Sequence, residues 1–434
     1  MHSKCIIIGG GLAGLSAAVY LAEAGIHVEL FESSPKLGGR AYSFSEANTG
    51  DVIDNGQHIM MGCYFETLKF LKLIRAESKL SIQDTLKVNF VDKTIGLTPL
   101  KAVGTIYPFN LLLGLLSYKA LSFSGRLEII RLFAKLPFLK PESMEDLTVF
   151  QWLEKEKQSK RTIKAFWEIL AIGALNTDIS RASASIFIII LKKMFLKGSH
   201  AASIILPGTG LSELYCEDSA KFICTNGGSI SLSEPVKSVE IHNNAVKKIN
   251  LANREVTDFD FVISAVPFYS FSKLFSAEFV KSLNPDNASY SSILSLNLWL
   301  KENPFKEEFY GFIDSPVHWV FDHKKYITVV ISNADEIIEK SKEDLKDIIC
   351  SELEKYFPQF NRSCVYMTKL IKEKRATFIP DSIMLQNRPH TVSSVRNLFL
   401  AGDWIATGLP ATIEGAVKSG HDAALAGLKF SGNL

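Results

Sequence analysis

Gly9-Gly10-Gly11-Leu12-Ala13-Gly14 spaces its glycines as a dinucleotide site requires. Gly9 permits a tight turn, Gly11 lets backbone approach a pyrophosphate, and Gly14 lets a helix pack closely on a strand. Leu12 and Ala13 then open that helix, whose free N–H groups receive phosphate oxygens. Glu32, eighteen residues after Gly14, is placed to accept hydrogen bonds from an adenosine ribose. Almost a whole chain away stands Gly402-Asp403, followed by Thr412, Ile413 and Glu414. Thr412 and Glu414 fall where a helix dipole and unpaired N–H groups favour anions and carbonyl oxygens.

These residues need elements to hold them. Cys5-Ile6-Ile7-Ile8 reads as a short buried strand, residues 15–24 as a helix stopped by Gly25, and residues 26–32 as a second strand. Strand, glycine turn, helix, strand and terminal acid give an α/β, Rossmann-type fold. Leu398-Phe399-Leu400 is an apolar strand running into Gly402-Asp403, and Pro410 is expected to open the next helix. A hairpin after Glu234-Pro235-Val236, and the run from Asp258 to Pro267, supply further strands.

Two more runs are chemically sharp. Gly38-Gly39-Arg40 brings bare backbone and a guanidinium near a ligand. Asp54-Asn55-Gly56-Gln57-His58 carries a strong turn signal, together with a titratable imidazole. The first run resembles the sequel to the glycine fingerprint in FAD enzymes of the amine oxidase and phytoene desaturase group. In that group a late Gly-Asp meets the ribityl chain and pyrophosphate, and the following helix faces the isoalloxazine. The resemblance gives those places to Gly402, Asp403, Thr412, Ile413 and Glu414, and gives Val236 a backbone contact to the adenine. It places the Asp54–His58 loop beside the flavin.

A longer pattern narrows the resemblance. It joins the Asp54–His58 run to Gly62, Tyr64, Glu66 and Thr67, and to Ala174-Leu175-Asn176-Thr177 with Arg181 and Ser183. It continues with Trp319-Val320-Phe321-Asp322, Glu373 to Phe378, and Ala401 to Ala416. The chain thereby resembles the bacterial hydroxysqualene dehydroxylases, also called squalene-associated FAD-dependent desaturases, over nearly its whole length. That family implies reduction of hydroxysqualene, a long apolar isoprenoid, to squalene, upstream of hopanoids. An allylic alcohol that loses oxygen and gains hydride needs a proton donor and a dry pocket. His58 is the candidate donor, with Asp54 or Gln57 orienting it. Residues 390–400 lack the Cys that covalent-flavin amine oxidases use, so FAD is expected to be non-covalent. Gly208-Thr209-Gly210 is not a second fingerprint, so the reductant, NADPH or a redox partner, is expected to bind transiently. A phytoene-type desaturase or another amine oxidase-like enzyme is the alternative within the same fold. The complete fingerprint argues against a flavin-free prenyl-protein carrier.

Bulk properties bound the rest. The 434 residues suit one or two domains with a full core. Lys and Arg total 48 against 46 Asp and Glu, which excludes nucleic-acid binding by bulk charge. Hydrophobic residues make up 47% of the chain, which suits an enzyme handling lipid. The six cysteines are scattered and read as reduced thiols of a cytoplasmic protein. An N-terminal signal peptide is not expected, since its cleavage would remove the glycine turn. No apolar run reaches the length of a spanning helix. Residues 105–118 are the nearest, with Lys119, Arg126, Arg131, Lys135 and Lys140 following. They fit a monotopic surface helix, a wall of a lipid tunnel or a buried helical pair. Peripheral association with the inner face of a bacterial plasma membrane, and contact with squalene-pathway enzymes, are the corresponding expectations.

The cofactor domain is expected over residues 1–75, 206–270 and 386–434. A substrate domain is expected over 76–205 and 271–385, with membrane-contact helices around 105–140. The first insertion reads as mostly helical. The second carries strand-like runs at 293–300 and 326–332 and a charged amphipathic helix at 336–356.

Overall fold

The computed structural model describes residues 3–283 and 289–433. A five-stranded parallel sheet carries the glycine turn. Lys4–Ile8 is its central strand, flanked by His27–Phe31 and Phe261–Ser264. Ser229–Ser231 and Leu398–Leu400 form its edges. Cys5, Ile6 and Ile7 are wholly buried, as strands covered on both faces must be. The helix Leu12–Glu23 packs against the final helix, Ile413–Ser431. A Cβ on Gly420 would lie 2.1 Å from the carbonyl oxygen of Ala13, and Ser16 donates to the Val417 carbonyl at 2.8 Å. Glycine at 420 thus allows the two backbones to touch.

The final helix begins later than the sequence suggested. Pro410 lies in the preceding loop, and Thr412 is the N-cap, its Oγ1 accepting from the Gly415 amide at 3.2 Å. A threonine able to satisfy a free amide outcompetes the mild preference of proline for a first turn.

A second sheet has seven strands, in the order Val365–Phe378, Tyr290–Leu300, Tyr326–Ser332, Trp319–Asp322, Phe309–Phe312, Lys87–Asp92 and Gly96–Lys101. The last two come from the stretch expected to be mostly helical. Their hairpin closes because the Asp92 carboxylate accepts from the Thr94 and Ile95 amides at 2.8 and 3.1 Å, and Gly96 takes φ +77°. Leu294, Leu296 and Leu298 face the helix Lys342–Tyr356 through Leu345, Ile349 and Leu353. That helix starts six residues past its expected origin at 336, because the Ser341 Oγ caps the Asp344 amide at 3.1 Å. The opposite sheet face, with Phe309, Trp319 and Phe321, packs on a helical core built around Trp152, Trp167 and Phe187. All six cysteines are unpaired.

Two histidines of this sheet make stability acid-sensitive. Burial holds His318 and His323 near pKa 4, and the Nε2 of His323 is buried without a partner. Unfolded histidine titrates near 6.5, so the unfolded chain takes up protons first as pH falls. Their stabilising contribution is complete above about pH 6.5 and is lost progressively toward pH 4. A loss of about 2 kcal/mol for each is expected by pH 5. His323→Phe keeps a ring stacked on Tyr326, 4.6 Å away in the native protein. Thermal denaturation at pH 7 and pH 5 should show a smaller acid-induced drop for this variant; an equal drop would refute the assignment.

Candidate cofactor site

The glycine turn has the shape its spacing implied. Gly9 adopts φ +105° and donates to the Phe31 carbonyl at 2.8 Å. A Cβ on Gly14 would sit 1.9 Å from the Gly9 oxygen, whereas one on Gly11 would meet nothing nearer than the Gly39 Cα at 3.8 Å. The turn is closed at Gly14 and open at Gly11. No side chain caps the Leu12–Glu23 helix, and its first turn holds no acid, although Leu12, Ala13 and Gly14 are buried. Buried amides at a helix start call for an acceptor, and a diphosphate fits both the open space and the dipole.

Glu32 follows the second strand, beside this turn. Its carboxylate accepts from the Gly10 amide at 2.6 Å, the Ser34 amide at 2.7 Å and the Ser33 hydroxyl at 3.2 Å. These bonds fix the carboxylate and leave acceptor capacity for a ribose hydroxyl. The Glu234 amide donates to the Glu32 carbonyl at 2.9 Å, which brings the segment of Val236 alongside. Val236 packs against the cluster that contains Ile6, Ile8 and Phe31.

Gly38 and Gly39 lie against the first turn. The Gly38 amide donates to the Gly10 carbonyl at 2.9 Å, and a Cβ on Gly39 would be 3.2 Å from the Gly11 Cα. Arg40 then spans the molecule. Its Nη2 pairs with the Asp403 Oδ1 at 2.7 Å and its Nη1 donates to the Ala376 carbonyl at 2.9 Å. The two distant ends of the sequence therefore meet in one ion pair.

Several residues organise the site in roles that the sequence did not assign to them. Asn55 donates to the Arg40 carbonyl and accepts from the Tyr42 amide at 3.1 Å, holding the loop that presents Arg40. In the sequence it looked like half of an Asn-Gly turn. Arg388 is buried and donates to the carbonyls of Leu409 at 2.6 Å, Asp403 at 2.8 Å and Ile405. Nothing local in its loop-like surroundings marks it. The Ser419 hydroxyl accepts from the Gly402 amide at 2.8 Å, and the Trp404 indole donates to the Val266 carbonyl at 3.0 Å.

The Glu414 carboxylate has a role of its own. Thr412 and Ile413 do stand at the start of the final helix, but the Glu414 carboxylate turns away to another element. It accepts from the Thr67 amide at 2.9 Å, the Thr67 hydroxyl at 2.7 Å and the Glu66 amide at 3.1 Å. It thereby satisfies the first turn of the helix Phe65–Leu73, whose N-cap has no side-chain hydrogen bond. Only the backbone of Glu414 remains on the cofactor side.

The orientation expected for His58 is also corrected. Asp54 is engaged elsewhere, accepting from the Ser43 hydroxyl at 2.6 Å and the Leu211 amide at 3.0 Å. Gln57 makes no side-chain hydrogen bond among the described residues. The Nδ1 of His58 faces the Gly56 carbonyl at 2.6 Å, which selects the Nδ1–H tautomer and leaves Nε2 with its lone pair. Burial pulls the pKa of His58 below its ordinary value, although the Asp54 charge opposes this; burial raises Asp54.

Comparison with known proteins agrees with this geometry. The hydroxysqualene dehydroxylase of Sinorhizobium fredii is 27% identical to this chain, over 98% of each sequence. The 15-cis-phytoene desaturase of Synechococcus elongatus is 24% identical, over 96% of this chain and 94% of its own. The crystal structure of a putative protoporphyrinogen oxidase from Exiguobacterium sp. 255-15 shares the fold, with a TM-score of 0.70, 15% identity and 98% coverage of both chains. The family model for flavin containing amine oxidoreductase matches residues 12–426. A cradle closed by both ends of the sequence and a match of that extent place the chain in the flavin containing amine oxidoreductase family, as a flavin-dependent oxidoreductase.

Proposed function

We propose that the protein uses non-covalent FAD to reduce hydroxysqualene to squalene. The observation that carries this reading is the full-length likeness to the Sinorhizobium fredii hydroxysqualene dehydroxylase. In the reaction the allylic C–O bond breaks, the oxygen leaves as water after protonation, and a C–H bond forms at carbon. Reduced FAD, when bound, supplies the hydride. Glu32, the amides of Leu12 and Ala13, Arg40 and Asp403 would hold it, with Gly38 and Gly39 giving it backbone access. NADPH or a redox partner, binding transiently, would restore the reduced cofactor.

His58 is the proton donor in this reading, with the Gly56 carbonyl as its orienting group. The resting imidazole is neutral, so a proton must first reach Nε2. Burial makes the resulting imidazolium a stronger acid than free histidine, suited to protonating a poor leaving group. The reaction also needs a dry pocket, because water would recapture the carbocation.

The test is anaerobic incubation of chemically reduced enzyme with hydroxysqualene, followed by analysis for squalene. Wild-type enzyme is expected to form squalene. His58→Ala is expected to retain flavin and to lose about 10²–10⁴-fold in turnover. Dehydrogenated phytoene from a parallel incubation of oxidised enzyme, with no squalene, would transfer the assignment to the desaturases. Normal turnover by His58→Ala would remove His58 from the mechanism.

A further inference from the structure

We propose that residues 103–113 and 136–140 form a docking surface for an anionic lipid bilayer. This surface goes beyond the reaction assigned above and does not depend on it. Ile106 is 83% exposed and Phe138 is 84% exposed, so both side chains lie largely in solvent. Val103, Phe109 and Leu113 are exposed beside them.

The local packing forces these side chains outward. The helix Phe109–Ser117 turns Asn110 and Gly114 inward: Val103 donates to the Asn110 carbonyl at 3.0 Å, and a Cβ on Gly114 would sit 2.4 Å from the Lys101 oxygen. Phe109 and Leu113, four residues apart, therefore share the outer side. The two segments are fastened to one place, the end of the helix Ala184–Phe195. The Tyr107 hydroxyl donates to the Phe195 carbonyl, and the Lys192 ammonium donates to the carbonyls of Pro137 at 3.3 Å and Leu139 at 2.5 Å. Ile106, Phe109 and Phe138 thus rim one end of the helical insertion, with exposed Leu196 and Lys197 beside them.

Charge decides what covers this apolar surface. From residue 93 to 140 the chain holds seven Lys or Arg (Lys93, Lys101, Lys119, Arg126, Arg131, Lys135, Lys140) and one acid, Glu128, in a protein of net charge +2; Lys135 is paired with Glu156 at 2.6 Å, whereas Lys101 and Lys140 make no ion pair among the described residues. A second copy would bring the same positive charge to the contact, whereas an anionic bilayer offers both hydrocarbon and opposite charge. No helix among the described residues is long and apolar enough to cross a membrane, so these side chains would enter one leaflet only.

Flotation of the flavin-loaded protein with vesicles tests the proposal. Wild-type protein is expected to float with phosphatidylglycerol vesicles at low salt and to be released substantially by about 0.5 M salt. Binding to phosphatidylcholine vesicles should be weaker. The combined substitutions Ile106→Ser, Phe109→Ser and Phe138→Ser should cut the bound fraction at least about tenfold while flavin content stays normal. Lys101→Glu with Lys140→Glu should weaken binding to phosphatidylglycerol alone. Failure of wild-type protein to bind phosphatidylglycerol vesicles, or undiminished binding by the triple variant, would overturn the proposal. So would a wild-type dimer that the triple variant converts to monomer without any lipid binding. Squalene formation from detergent-dispersed substrate is a separate readout, so failure of lipid binding is distinguishable from failure of the proposed reaction.

Discussion

Gly14→Ala is expected to yield protein that purifies without flavin and loses about 3 kcal/mol or more of stability. The added Cβ would lie 1.9 Å from the Gly9 oxygen, 3.1 Å from the Gly9 carbonyl carbon and 3.3 Å from the Ala265 Cβ. Neither side can give way cheaply. The Gly9 amide is tied to Phe31 at 2.8 Å, and the Ala265 amide to Ile8 at 2.8 Å, so the turn is part of the sheet. The helix must move off the strand, which carries its first amides away from where a diphosphate would lie. Gly11→Ala is the informative contrast. A Cβ there meets only the Gly39 Cα at 3.8 Å, so the fold should persist while flavin affinity falls. The ratio of flavin to protein absorbance, with thermal denaturation of both variants, measures the difference. Normal flavin content in Gly14→Ala would show that the turn does not bind the cofactor.

Arg388→Met is expected to cost about 3–5 kcal/mol and to release flavin, though Arg388 is not proposed to touch it. Its guanidinium holds the carbonyls of Asp403, Ile405 and Leu409, which shapes the loop carrying Asp403. Burial pulls its pKa down to about 10, with the Asp403 charge opposing, so it stays charged at neutral pH. Methionine would leave the carbonyls of Asp403, Trp404 and Leu409 without a donor in a buried loop, whereas Ile405 keeps the Thr407 amide at 2.8 Å. Arg388→Lys should recover only part of the loss, because one ammonium cannot reproduce the fork. Melting temperature and flavin content should fall together; an unchanged melting temperature would show that the loop holds its shape unaided.

Legibility followed the range of the interactions. Gly9, Gly11 and Gly14 were readable because glycine chemistry is local: a positive φ or a close approach leaves its mark at the residue itself. Leu398-Phe399-Leu400 was readable because a strand buried on both faces must be apolar throughout. The contact of the Glu414 carboxylate was not legible, because its partner, Thr67, lies 347 residues away and nothing near Glu414 advertises it. Arg388 was missed because its partners are backbone carbonyls, which carry no sequence signature. The Lys87–Asp92 and Gly96–Lys101 strands are six residues each, too short for periodicity to separate them from their helical surroundings. At His58 the imidazole was visible, but its orienting group is a carbonyl two residues back, which any residue type supplies.

The order of strands in the parallel sheet matters for biosynthesis. A ribosome that has reached residue 397 has made four of the five strands, but not Leu398–Leu400 or the helix Ile413–Ser431. The helix Leu12–Glu23, with the Ala13 and Ser16 face that receives Gly420, emerges early and waits. At 5–20 residues per second the wait is about 20–80 s. During that time its apolar surface is uncovered, and the flavin cradle lacks Asp403. The cradle therefore cannot close until Asp403 and the helix Ile413–Ser431 have been made.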